Sequence, residues 1–280
     1  MVTIRERYQS ALKELPPDVS VNDLRLLLVE HLHFSNYAEL DLNFNQELTD
    51  LSRFESDFNE LKKGKPVQYI VRNANFYGRD YYVDERVLIP RPETEELVGL
   101  VLKELAKTPK KEQLILVDVG TGSGVIAIEC AKRLNADVHA IDISDDALEV
   151  AKINANNHHA DITFHQGDLL TPLVKKKIKV DIIVSNPPYI NPKEKLDKKV
   201  FDYEPHLALF AQDGIDNYRK ILQQAQLIKK DQVFLFFEIG EQQEKVLTSF
   251  LKLEFPGAEY KFTRDLQRKT RFLQVKLHEE

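Results

Sequence analysis

From Leu114 onward the chain alternates short apolar runs with helical segments, and the connections between them are too short to hold separate domains. The β-type runs fall at residues 114–119, 138–141, 162–165, 180–185 and 233–237. Helical patterns occupy 124–134, 145–156, 216–228 and 241–251. Two later runs, 258–262 and 272–277, suit a closing antiparallel pair. Regular strand–helix alternation predicts an α/β fold with a mostly parallel sheet buried under helices on both faces. Such sheets bind ligands outside the carboxyl ends of their strands, near the point where the strand order reverses.

The first seventy residues follow a helical period instead. A helix over 3–15 closes at Pro16-Pro17. Ser20 is placed to cap a second helix running to about Leu32. A third stretch, 45–63, sets Leu48, Leu51, Phe54, Phe58 and Leu61 on one stripe before Gly64. Residues 75–89 are rich in β-formers around a turn at Gly78-Arg79-Asp80, which predicts a hairpin. Pro90 and Pro92 frame a tight loop, and Glu93-Thr94-Glu95-Glu96 opens a helix with acids at its positive end. The expected division is a helical domain over 1–72, a β-hairpin linker over 73–90 and an α/β domain over 91–280.

Composition narrows the class. The chain is 42% hydrophobic and 30% charged, the balance of an ordinary globular protein. A net charge of −6 argues against a wide basic face for nucleic acid. One cysteine, Cys130, excludes an internal disulfide and a cysteine zinc site, and its place on the apolar side of a helix suits the core. The eight histidines lack metal-ligand spacing, so no metal is expected. Apolar runs are far below the ~20 residues that span a bilayer, and the N-terminus has no signal-peptide core. The expectation is a cytoplasmic monomer with no membrane contact. The lysines at 175–177 and 193–199 read as solvated faces.

Three motifs sit at predicted strand ends. Asp118-Val-Gly120-Thr121-Gly122-Ser123-Gly124 lies between a strand and a helix, where glycines let backbone N–H groups approach a ligand. Val125 breaks the dinucleotide fingerprint, and a P-loop's Gly-Lys-Ser/Thr is absent. A tight turn without a ligand is the plainer alternative. Asp142 ends the next strand, where a carboxylate can accept from both hydroxyls of a ribose; the alternative is a helix N-cap. Asp168, after the third strand with Leu169 beside it, could reach the exocyclic amine of an adenine, and a Gly-Asp turn explains it equally well. The third motif is Asn186-Pro187-Pro188-Tyr189. Its prolines forbid helix and ladder pairing and so make a rigid loop. The Asn186 oxygen and the Pro187 carbonyl give two inward acceptors, matching the two donors of a planar –NH2 group, with the Tyr189 ring against its flat face.

Together these motifs resemble the class I S-adenosylmethionine-dependent methyltransferases that act on planar nitrogens. More narrowly, the stretch from Ile89 to Val98 (Ile-Pro-Arg-Pro-Glu-Thr-Glu-Glu-Leu-Val), Gln68-Tyr-Ile70, Phe76-Tyr-Gly78, Tyr203-Glu-Pro205 and Ala208-Leu209 resemble the release-factor glutamine methyltransferases (the HemK/PrmC family). Two places depart from the pattern. Arg72 stands where a glycine is expected, and Arg268-Lys-Thr270 replaces a Gly-Arg-Asp-like turn. The resemblance implies a Rossmann-like domain with a seven-stranded sheet, and an N-terminal helical bundle that docks a protein substrate.

The resemblance also implies the chemistry. A methyl group passes from S-adenosyl-L-methionine, leaving S-adenosyl-L-homocysteine, to the side-chain amide nitrogen of the glutamine in a release factor's Gly-Gly-Gln motif. Asn186, Pro187 and Tyr189 are then the catalytic residues, with Pro188 completing the substrate loop. Gly120, Thr121, Gly122, Ser123, Gly124, Asp142, Asp168, Leu169 and Asn186 bind the cofactor. Peptide chain release factors are the expected partners, with no direct nucleic-acid contact. The rivals are glutamine methylation of a ribosomal protein, adenine N6 or cytosine N4 methylation, and a non-catalytic nucleoside-binding module. An intact Asn186 and Tyr189 speak against the last.

Overall fold

The computed structural model describes residues 2–106, 113–211 and 214–278. The chain forms two compact units. One comprises Met1–Asn73, Val83–Glu85 and Leu196–Tyr203; the other comprises Ala74–Tyr82, Arg86–Lys195 and Glu204–Glu280. This differs from the expected three-part division, whose outermost residues, Met1 and 279–280, lie outside the described residues. The hairpin counts with the sheet and is no separate linker, and residues 196–203 return to the helices. Among the described residues, no helix is long and apolar enough to cross a membrane.

The helical unit contains α1 (Ile4–Glu14), α2 (Val21–His31), α3 (Tyr37–Leu42), α4 (Leu51–Lys62) and α5 (Val67–Val71). Helices α1 and α2 each start in a reciprocal cap: Thr3 with Glu6, and Ser20 with Asp23. Leu24, Leu27, Leu28, Phe54, Phe58 and Leu61 form the core. Arg7 crosses from α1 to α4, donating to Glu55 at 2.8 Å and lying over the Phe54 and Phe58 rings. The expected helix over 45–63 begins only at Leu51. Asp50 takes a left-handed backbone (φ 46°) and caps Arg53 N, while Leu48 is buried in an extended segment whose N–H donates to Val2 O. Helix α3 was not anticipated; Asn36 caps it by accepting from Glu39 N.

The second unit opens with the hairpin β1 (Ala74–Phe76) and β2 (Arg79–Tyr81). Its two-residue turn is Tyr77-Gly78 (φ 54° and 75°), one step earlier than expected. Arg79 and Asp80 are strand residues, and Val87 and Leu88 lie outside any strand. There follow α6 (Pro92–Leu105), β3 (Leu114–Val119), α7 (Val125–Arg133), β4 (Ala136–Asp142), α8 (Asp145–Asn157), β5 (Thr163–Gln166), α9 (Thr171–Lys176) and β6 (Val180–Ser185). After α10 (Lys198–Tyr203) of the helical unit come α11 (His206–Leu209), α12 (Asp216–Ile228), β7 (Lys229–Glu238), α13 (Glu244–Glu254), β8 (Glu259–Arg264) and β9 (Thr270–His278). The departures from the family pattern are both left-handed positions: Arg72 (φ 55°) ends α5, and Arg268 (φ 66°) turns the chain between β8 and β9. A glycine adopts that conformation at no steric cost, which is the physical reason to expect one there.

The seven-stranded sheet has the order β5-β4-β3-β6-β7-β9-β8, with β9 antiparallel to both neighbours. Both faces are covered. Leu116, Ile182, Val184 and Phe236 face α6 and α7, whereas Val117, Ile183, Leu235 and Phe237 face α12 and α13. That is why these strands read as unbroken apolar runs. The register is the decisive feature. Ile141, Val119, Ser185 and Phe237 stand side by side on four neighbouring parallel strands. The next residue on each strand, Asp142, Gly120, Asn186 and Glu238, therefore emerges at one level.

Gly124 joins β3 to α7 with φ +83°, and a Cβ there would lie 3.1 Å from Ala151 Cβ and 3.2 Å from its Cα. Neither α7 nor α8 can yield freely, since both are packed in the core. Gly124→Ala should lower unfolding free energy by about 1–3 kcal/mol, combining backbone strain with overpacking. Urea unfolding, with the denaturant slope unchanged, measures the loss.

Candidate functional site

The site begins with a buried acid. Asp118, fully buried on β3, accepts through Oδ2 from Thr121 Oγ1 (2.6 Å) and from Ala127 N (3.2 Å). The same oxygen thus bends the glycine loop and supplies the cap that Gly124 lacks for α7. Burial pushes the Asp118 carboxyl up to about 7 against these two hydrogen bonds.

Several of the loop's amides are taken up within the protein. Gly120 and Thr121 N–H both donate to Ile141 O at 2.9 Å, and Gly122 N–H donates to Asp142 Oδ2 at 2.9 Å. What the loop offers is bare backbone. A Cβ at Gly120 or Gly122 would meet no protein atom within 4 Å, so the space over them is open. Asp142 is not the N-cap of α8; Ser144 is, accepting from Ala147 N at 3.2 Å. The other Asp142 oxygen accepts from Ser144 N at 3.0 Å. Each carboxylate oxygen has further lone-pair capacity, and the residue is only half-buried. Burial raises its pKa while the Ser144 and Gly122 amides oppose the rise.

Asn186 stands next to Gly120 in the register and is held from behind. Its Nδ2 donates to Thr94 Oγ1 (3.2 Å), and Thr94 Oγ1 donates to Glu238 Oε2 (2.8 Å). This leaves Oδ1 as the edge turned toward the cavity. Pro187 is buried, and the Pro188 carbonyl accepts from Asn217 Nδ2 at 3.3 Å, which fixes the loop. Ser185 Oγ donates to Val119 O (2.7 Å) and ties this strand end to β3.

One cavity gathers most of these groups. Gly120, Thr121, Gly122, Ser123, Asp142, Asn186 and Pro188 line it, with Val87, Leu88, Arg91 and Thr94 on one side and Pro205, Leu207 and Ala208 on another. Arg91 pairs with the buried Glu204 at 2.5 Å, joining two parts of that wall. Gly124 serves the turn and is not among the lining residues. Asp168, exposed, and Leu169, packed on the core, lie in the turn after β5 and are likewise not among them. Tyr189 follows the loop on its core side. Its ring packs against the core beside Gly240, where burial and the Glu238 carboxylate push the phenol up to about 12, and it is not among the lining side chains.

Sequence reasoning missed Thr94, Glu238 and the Arg91–Glu204 pair as parts of the site. Glu238 left a readable signal: an acid directly following a fully apolar run, at a strand's carboxyl end. The arrangement suits a nucleoside-bearing cofactor. Asp142 supplies acceptors for vicinal hydroxyls, the open glycine floor admits close approach, and Val87, Leu88 and Ala147 give apolar walls for a flat base.

Residues 98–202 match the model of the methyltransferase small domain family. The chain is 42% identical over 234 residues to the release factor glutamine methyltransferase of Bacillus subtilis (strain 168), covering 82% of this chain and 81% of that one. It is 40% identical over 245 residues to the enzyme of the same name from Flavobacterium psychrophilum, covering 85% of each. Among solved structures it is similar in fold to a methyltransferase from Pyrococcus furiosus, with a TM-score of 0.53, 17% identity, and coverage of 81% of this chain and 96% of that one. With relatives this similar over most of both chains, the protein belongs to the release factor glutamine methyltransferase family.

Proposed function

We propose that this enzyme methylates the side-chain amide nitrogen (N5) of the glutamine in the Gly-Gly-Gln motif of peptide chain release factors, with S-adenosyl-L-methionine as donor. The observation that carries the reading is the position of the Asn186 amide. It stands one strand away from the open glycine floor, with its NH2 edge tied to Thr94 and its oxygen left for a donor. The relatives' names supply the substrate.

An amide nitrogen is a weak nucleophile because its lone pair is delocalised into the carbonyl. Asn186 Oδ1 and the Pro187 carbonyl accept its two N–H donors and so fix the plane and rotation of the group. When bound, the donor would supply an electrophilic methyl on a sulfonium; the amide nitrogen would take it as the S–C pair returned to sulfur, with one N–H proton passing to water. Acceleration then comes from holding the nitrogen in line, which proline-locked acceptors do without reorganising. Asp142 accepts from the ribose hydroxyls, and Gly120 and Gly122 leave room for the donor's close approach. Thr121 and Ser123 complete that rim, Gly124 makes the turn behind it, and Asp168 and Leu169 lie in the turn after β5. Tyr189 anchors the loop from the core side. The helical unit, a separately packed bundle, offers the surface for the protein substrate.

Incubation with labelled donor and a purified release factor, followed by peptide mapping, should place the label on the Gly-Gly-Gln glutamine. Label elsewhere, or none, would overturn the reading. Asp142→Ala should weaken donor binding by about 1.5–3 kcal/mol, the usual worth of hydrogen bonds to a charged group, as read by calorimetry. Asn186→Ala should slow single-turnover transfer by on the order of 10²–10³-fold, or ~3–4 kcal/mol, while changing donor affinity little.

A further inference from the structure

Asn186 is held by a chain of side chains from three separate elements: Glu238 at the end of β7, Thr94 in the first turn of α6, and Asn186 after β6. Thr94 is 4% exposed and Glu238 2%. A threonine hydroxyl has a single hydrogen. Given to an ionised carboxylate, which only accepts, that hydrogen leaves the other side of Oγ1 as an acceptor. Only the NH2 edge of Asn186 can satisfy it. The carboxylate thereby selects, at one remove, which edge of the Asn186 amide faces the cavity.

We propose that Glu238 and Thr94 are positioning residues that present Asn186 Oδ1, and not Nδ2, to the substrate amide. The consequence for catalysis rests on the function proposed above; the relay itself is a property of the folded chain. A proton on Glu238 Oε2 reverses its polarity. The carboxyl then donates to Thr94, Thr94 donates to the Asn186 oxygen, and the NH2 edge turns to the cavity, where it opposes a substrate –NH2.

Charged and titratable groups approach Glu238 from several elements. Arg271 faces it from β9, Arg91 and Glu93 from the start of α6, and Tyr189 from the loop after β6. Tyr218 on α12 donates to its backbone carbonyl at 3.0 Å. Burial outweighs the Thr94 hydrogen bond and the nearby arginines and pushes the carboxyl up to about 7. The productive polarity is therefore present above that pH and lost below it.

The test compares wild type with Thr94→Val and Thr94→Ser, each carrying 15N in its asparagine side chains. The Asn186 amide signals are assigned by their loss in Asn186→Ala. In wild type and Thr94→Ser these signals should move with a midpoint near that of Glu238, and in Thr94→Val they should stay flat. Single-turnover methylation of a release factor should fall on the acid side with the same midpoint in wild type and Thr94→Ser. In Thr94→Val it should be roughly tenfold slower and lose that pH dependence, with KM little changed. Flat Asn186 signals in wild type, or titrating signals in Thr94→Val, sink the relay whether or not any substrate is methylated. Titrating signals with a pH-independent rate overturn the positioning role. If wild type shows the titrating relay but modifies no release factor, the relay stands and the proposed substrate falls.

Discussion

The level alignment of β4, β3, β6 and β7 is the constraint on which the rest of the molecule depends. Parallel neighbours run about 4.8 Å apart, so residues one step past an aligned row form a line across the sheet edge. Here that line is Asp142, Gly120, Asn186 and Glu238. A slip of one residue on β6 would turn Asn186 to the opposite face of the sheet and send Ser185 or Pro187 in its place. Burial of both faces prevents the slip, because every strand residue from 182 to 184 is already packed against helices. The chemistry is thus positioned by hydrophobic packing well below it.

Two buried acids complete the frame, and they act differently from surface charges. Asp118 and Glu238 each lie where an ionised group is costly, and each is retained through hydrogen bonds to a neighbouring hydroxyl. Asp118 holds the glycine loop from below through Thr121 and caps α7 through Ala127. Glu238 holds Thr94 and, through it, Asn186. Both carboxyls are pushed up to about 7 by burial. A raised carboxyl pKa favours the folded state most at low pH, and that contribution is lost as pH rises through about 7. The loop and the amide are therefore held most firmly in their ionised geometry under conditions where the fold itself gains least from these groups.

Much of this was legible in the chain. The alternation after Leu114 implied the doubly covered sheet, and the motifs at 118–124, 142 and 186–189 fell at the strand ends that the rule for open sheets requires. Errors arose where a local signal competed with a longer-range contact. The stripe over 45–63 looked like one helix, but Leu48 is used in a non-helical segment pinned to Val2 and the helix waits for its cap at Asp50. The hairpin turn moved to Tyr77-Gly78 because the β1–β2 register pairs Phe76 with Arg79, and that leaves two residues for the loop. The glycine-loop amides were assigned to a ligand, whereas Ile141 and Asp142 on the adjacent strand already accept from Gly120, Thr121 and Gly122.

By itself the sequence determined the sheet, its covering helices and the placing of three motifs at strand ends, because those follow from periodicities of two and 3.6 and from residues that restrict the backbone. Only the tertiary structure decided which side chains stand behind the motifs. Thr94 and Glu238 are 144 residues apart, and Thr94 and Asn186 are 92 apart. Nothing in local spacing couples them. They meet because strand order places β7 beside β6, and because Thr94 in the first turn of α6 reaches the ends of both. The orientation of the Asn186 amide is therefore a property of how distant segments pack, set by hydrogen bonds that exist only once the sheet has closed beneath them.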